Sequence, residues 1–178
     1  MILDDELIEG IESCAVEARI VNVFRGTWPD ANPFVMSQSS GRWSIDTVEL
    51  DGFQVLYTST TRDGAIREVA SWRKLLTPIP KAPIVIHSFT LPLHAPVQID
   101  LETLGKLGVD VNNYENRDYS QTQKIALAAH RMDYDGLIVP SARHPSENVV
   151  IVDAGYFDRH AEIRTHTEIV SFENWSKV

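Results

Sequence analysis

The apolar residues of this chain arrive in short runs cut by proline, glycine and aspartate, and that punctuation limits the fold more than any other feature. Residues 53–59 (Phe-Gln-Val-Leu-Tyr-Thr-Ser) follow the turn pair Asp51-Gly52 and are rich in strand formers. Residues 84–91 form a second strong strand, broken by Pro92 and Pro96. Residues 136–139 and 148–153 are two short apolar strands on either side of Pro140-Ser-Ala-Arg-His-Pro145. Residues 19–25 read as a short strand. The alternation of Ala161, Ile163, Thr165, Thr167 and Ile169 with polar neighbours predicts a final, half-exposed antiparallel strand.

Helical spacing occurs in fewer places. Residues 4–18 begin with three acids, which suit the positive end of a helix, and place Leu7, Ile8, Ile11, Cys14, Ala15 and Ala18 on one side. Thr60, Thr61 or Asp63 caps a second helix carrying Ile66, Val69, Ala70, Arg73 and Leu76, stopped by Pro78, Pro80 and Pro83. A short helix covers residues 101–107. Ser120 and Gln123 have capping-box spacing ahead of Ile125, Leu127, Ala128, Ala129 and Met132. Strands outnumber helices and few connections read as βαβ crossovers. The expectation is therefore one α+β domain over residues 1–178, built on a mainly antiparallel sheet. Residues 26–46 are irregular, and long loops in compact domains are often functional.

Charge narrows the function. The 16 basic and 25 acidic residues leave a net charge of −9, with no basic stripe. Phosphate attraction, which drives generic nucleic-acid and anionic-membrane binding, works against such a chain. Cys14 is the only cysteine, so an intrachain disulfide and a multi-cysteine zinc site are excluded. The acidic start lacks the basic region of a signal peptide, and no apolar run approaches the ~20 residues that span a bilayer. A cytoplasmic protein is expected.

The common catalytic signatures are missing: no G-x-x-x-x-G-K-[ST], G-x-G-x-x-G, H-E-x-x-H or G-x-S-x-G. None of the six histidines forms an i, i+4 pair on a predicted helix. His160 and His166 share one side of the predicted last strand, where a solvated face is favoured over a metal pair; no metal is expected. Three segments remain unusual. One is Gly41-Arg42-Trp43, with Arg25 upstream. Another is Leu56-Tyr57-Thr58-Ser59 leading to Glu68 within Ala65-Ile66-Arg67-Glu68-Val69. The third is Asp135-Gly136-Leu137-Ile138-Val139-Pro140-Ser141-Ala142-Arg143.

In this order and spacing, the three segments resemble the RES domain, whose pattern runs G-R-W/F, L-Y-x-S, A-x-x-E and D-G-[aromatic]-x-S-x-R. The resemblance covers residues 19–153. It departs at Ser44, where asparagine is frequent, and at Val139, where an aromatic is common. It implies a split antiparallel sheet like that of the ADP-ribosyltransferases. It also implies a toxin of a toxin–antitoxin pair that consumes NAD as a substrate, with no separate cofactor. The partner implied is an Xre-like helix-turn-helix antitoxin, which would hold the toxin in a hetero-oligomer and make any DNA contact itself. Arg42, Glu68 and Ser141 match the family's three named residues, and Arg25 and Tyr57 match two further pocket positions.

Chemistry gives these residues roles. Cleaving the nicotinamide–ribose bond develops positive charge on the sugar, which a carboxylate such as Glu68 stabilises. Arg25 and Arg42 have the planar fork that grips two pyrophosphate oxygens. Tyr57 offers a ring to the nicotinamide, and Ser141 a hydroxyl to the carboxamide, a ribose hydroxyl or Glu68. Taken singly, each position has a plainer explanation. Glu68 and Arg42 read as surface charges, Trp43 as a core anchor, Tyr57 as a core residue with a bonded hydroxyl and Ser141 as a turn residue. Arg143 could brace its loop against Asp153. Hydrolysis or phosphorolysis of NAD, ADP-ribose transfer to a protein, and a non-catalytic nucleotide- or partner-binding domain all remain open from the sequence.

Overall fold

Asp4 accepts a hydrogen bond from Leu7 N at 2.8 Å and starts helix α1, Asp5–Glu12. The helix ends well before residue 18, because Ala15 bridges to Val97 and Gln98 N donates to Cys14 O. A sheet edge takes the backbone that the apolar spacing assigned to the helix. The computed structural model describes residues 3–49 and 51–178.

The strands are β1 (Arg19–Thr27), β2 (Leu56–Ser59), β3 (Ile84–Leu93), β4 (Pro96–Gln98), β5 (Gly136–Pro140), β6 (Glu147–Ile151) and β7 (His166–Val170). The remaining helices are α2 (Arg62–Arg73), α3 (Leu101–Lys106), α4 (Ser120–Arg131), α5 (Tyr156–Arg159) and α6 (Phe172–Trp175), with a 3-10 turn at Val111–Asn113. The strands form one sheet in the order β4-β5-β6-β2-β1-β3-β7, antiparallel except for β4–β5. The expected α+β class with a mainly antiparallel sheet is what the chain adopts.

The two halves of the sheet meet through a single register pair, Phe24 with Ser59. Arg25–Thr27 of β1 and Leu56–Thr58 of β2 would continue that ladder but do not pair, so the sheet splits there. Burial explains the short apolar runs. Leu137, Val139, Val150 and Val152 face a core shared with α1 and α4, while Ile138, Val149 and Ile151 face a second core on the other side. Strands covered on both faces read as continuous apolar segments. A third core under α2 gathers Ala65, Ile66, Ala70, Ile84, Ile86 and Trp175.

Three expectations are corrected. Pro92 does not break β3. Its carbonyl accepts from Tyr156 Oη at 3.0 Å, so its imino nitrogen also faces away from β1 and no ladder bond is lost. The final strand is His166–Val170, because residues 161–165 turn and Ile163 packs against the Tyr156 core. His160 accordingly lies at the end of α5, stacked 5.5 Å from His94, while His166 pairs with Ser88 on the sheet; the two histidines share no strand. Ser120 and Gln123 form no capping box. Tyr119 occupies the cap of α4 without a side-chain bond, and Gln123 is engaged elsewhere.

Candidate active site

The split opens into a cleft of about 490 Å³. One wall is α2. Thr61 caps this helix, accepting from Gly64 N at 3.1 Å, and Asp63 complements the first-turn dipole. Gly26 on β1 lets α2 lie close to the sheet: a Cβ there would sit 2.7 Å from Val69 Cγ2 and 3.3 Å from Ala65 O. That approach carries Glu68 to the cleft. Its Oε1 accepts from Ser141 Oγ at 2.7 Å and from Asn148 Nδ2 at 3.0 Å. Arg143 N donates to Ser141 Oγ at 3.1 Å, so the serine oxygen is itself held while its proton points at Glu68. Both protein bonds fall on Oε1. Oε2 is left to other partners.

Arg42 lies on the irregular loop, and two layers of contacts hold it. Gln123 Nε2 on α4 donates to Gly41 O at 2.9 Å and Ser44 O at 3.0 Å. Tyr57 Oη accepts from Trp43 N at 3.0 Å and lies 3.0 Å from Ser44 Oγ. Burial pushes the Tyr57 hydroxyl up to about 12, so it stays protonated at neutral pH. The Arg42 guanidinium itself lies 4.4 Å from the Tyr114 ring centre and 4.9 Å from that of Tyr119, and its Nη2 donates to Asn116 O at 3.1 Å. Tyr114 in turn donates to Pro140 O at 2.9 Å, tying the arginine clamp to the strand end that carries Ser141.

Arg25 sits on the end of β1 that pairs with β3 but not with β2. Nη2 donates to Val35 O at 2.8 Å, whereas Nη1 is buried without a protein acceptor. Burial lowers its pKa to about 10, which still leaves it cationic at neutral pH. Among the described residues, five arginines (25, 42, 73, 117 and 143) and one carboxylate, Glu68, line the cleft. A locally cationic cleft in a chain of net charge −9 is a site for an anion.

Four of the five residues singled out from the sequence, Arg25, Arg42, Tyr57 and Glu68, line this cleft, and Ser141 stands directly behind Glu68. The plainer explanations also apply in part. Trp43 is a core anchor at 1% exposure, and the Tyr57 hydroxyl is bonded within the loop while the residue lines the cleft. Asp153 accepts its ion pair from Arg159, so Arg143 is not braced there. Sequence reasoning passed over Asn148, Arg73, Arg117 and the Tyr114–Tyr119 clamp. Asn148 is buried at the head of the apolar run 149–151, and an amide there is the one signal that was available.

No curated protein matches the chain significantly. Among solved structures, a chain of the crystal structure of the M. tuberculosis MbcT–MbcA toxin–antitoxin complex superposes with a TM-score of 0.79, at 14% identity, over 99% of this chain and 98% of that one. The likeness extends across the whole sheet and its helices. The RES domain family matches residues 18–172. That span takes in all seven strands and every residue of the cleft, and on it the chain belongs to the RES domain family.

Proposed function

We propose that this chain is the toxin of a toxin–antitoxin pair and consumes NAD by breaking the bond between nicotinamide and ribose. The observation that carries the reading is the single cleft carboxylate, Glu68, clamped through one oxygen by Ser141 and Asn148 in a cleft lined by five arginines. In this reading Arg25 and Arg42 take the pyrophosphate, using the Arg25 Nη1 that has no protein acceptor. Glu68 Oε2 faces the ribose. As the C1′–N bond breaks, its electron pair leaves with the neutral nicotinamide, and positive charge grows on C1′ and the ring oxygen. The fixed carboxylate stabilises that charge without having to reorganise. Water or phosphate then bonds to C1′, and a proton lost by water passes to the carboxylate. Ser141 and Asn148 set the carboxylate's direction.

Membership of the RES family and likeness to a chain from a toxin–antitoxin complex support an inhibitory partner. An Xre-like antitoxin that covers the cleft fits that role and would supply the DNA contact.

The test is nicotinamide release from NAD by the purified chain, with and without inorganic phosphate, beside Glu68→Gln. Gln keeps the hydrogen-bond acceptor but removes the charge, and is expected to cost at least about a hundredfold in rate. Phosphate dependence selects phosphorolysis over hydrolysis. No release under either condition rejects the reading.

A further inference from the structure

Two tryptophans stand in the cleft with their rings open to solvent, and neither belongs to the residues that match the family pattern. Trp28 is 38% exposed and Trp72 is 53% exposed, whereas the other two tryptophans, Trp43 and Trp175, are buried. Two indoles in one concave cleft offer large flat faces at little conformational cost, which is how such clefts take a ligand ring. Their placement is built rather than incidental. Trp72 follows Glu68 by four residues on α2, so both project from the same side of the helix, one turn apart. Trp28 follows the end of β1 that has no partner in β2, where Gly26 meets Val69 of the same helix.

One face of Trp28 is already occupied. The Arg73 guanidinium lies 3.8 Å from its ring centre and is itself immobilised, fully buried, by bonds to Ala82 O, Pro83 O and Thr27 O at 2.8–3.2 Å. A cation fixed behind an indole holds the ring in one orientation and leaves its outer face for a second partner. Arginines for phosphate and open aromatic rings in one cleft are the two halves of nucleotide recognition, charge for the backbone and a π-face for the base.

We propose that Trp28 and Trp72 form a stacking subsite for an aromatic base of the bound nucleotide. The inference deepens the NAD-consuming reading of the same cleft and rests on it. It gives the substrate a recognition element, a flat heteroaromatic ring, that Arg25, Arg42 and Glu68 do not supply.

The experiment titrates the intact chain by calorimetry with AMP, nicotinamide mononucleotide and ribose 5-phosphate, comparing Trp72→Ala and Trp28→Leu with the parent. Ribose 5-phosphate carries the phosphate and sugar but no base. Trp72→Ala alters a half-exposed ring and keeps the test valid should Trp28→Leu disturb Arg73. The expected result is about tenfold weaker binding of at least one base-bearing ligand with ribose 5-phosphate unchanged. The ligand affected, AMP or nicotinamide mononucleotide, identifies the base as adenine or nicotinamide. Unchanged affinities in both variants, or an equal loss for all three ligands, overturn the subsite. If nicotinamide release persists in that case, the function proposed above stands without it. A parent chain that binds neither AMP nor nicotinamide mononucleotide overturns the subsite, and one that also releases no nicotinamide overturns both.

Discussion

His87 shows how a single buried side chain ties this site to pH. It is 6% exposed and lies opposite Arg25 across β1 and β3. Thr27 Oγ1 gives its one proton to Trp28 O at 2.9 Å, so the 2.9 Å contact with His87 Nε2 makes the ring nitrogen the donor. His87 Nδ1 then carries the lone pair, buried and without a partner. Burial, and secondarily the Arg25 charge, hold its pKa below the usual 6.5. Between the lowered value and 6.5 the unfolded chain binds the proton and the folded chain does not. Stability therefore falls as pH drops through 6.5 and reaches its full loss only below the folded value. Denaturant titrations from pH 7 to 5 are expected to show this loss, and His87→Gln to show a shallower slope. An unchanged slope in the variant would remove His87 as its source.

At the scale of elements, the loop bearing Arg42 is ordered by a helix that looks unrelated to it in sequence. Gln123 reaches from the first turn of α4 to the carbonyls of Gly41 and Ser44, and Tyr57 holds the same loop from β2. Gly41 has no room for a side chain, since a Cβ would lie 2.7 Å from Tyr57 Oη. Replacing Gln123 by Met keeps the volume and removes the donors. For the proposed NAD reaction, it is expected to raise KM by about tenfold, from two lost bonds of about 1 kcal/mol each that partly compensate, while kcat changes little. Combined with Arg42→Ala, the further effect should nearly vanish, because the loop then has no guanidinium to place. Additive effects in this cycle would assign Gln123 to general stability. The capping-box pattern was legible at Ser120 and Gln123, but the glutamine's real partners lie about 80 residues away and left no local trace.

Across the whole molecule, the charge balance and the cleft point in opposite directions. The chain carries −9 overall, yet the cleft gathers five arginines around one acid. An anionic ligand is repelled by the distant surface and attracted locally. The attraction acts over a few ångströms and salt screens it more strongly as the Debye length falls from about 14 Å at 0.05 M to about 4 Å at 0.5 M. Binding of AMP is expected to weaken several-fold over that range, and the exposed Arg117 changed to Ala to flatten the dependence. A salt-independent affinity would show that the arginines do not govern binding. Among the described residues no helix is long and apolar enough to cross a membrane.

The amino-acid sequence by itself determined the α+β class and the positions of most strands, and its resemblance to the RES pattern singled out Arg25, Arg42, Tyr57, Glu68 and Ser141. Strand identity survives in short runs because burial and alternation act over a few residues. Tertiary structure alone decided where the sheet splits, since one missing ladder between β1 and β2 depends on what packs on each. It also decided that Asn148 shares Glu68 with Ser141, that Arg73 stiffens Trp28, and that Gln123 serves a distant loop. These contacts join residues tens of positions apart, and their energies reside in mutual geometry that no single segment contains.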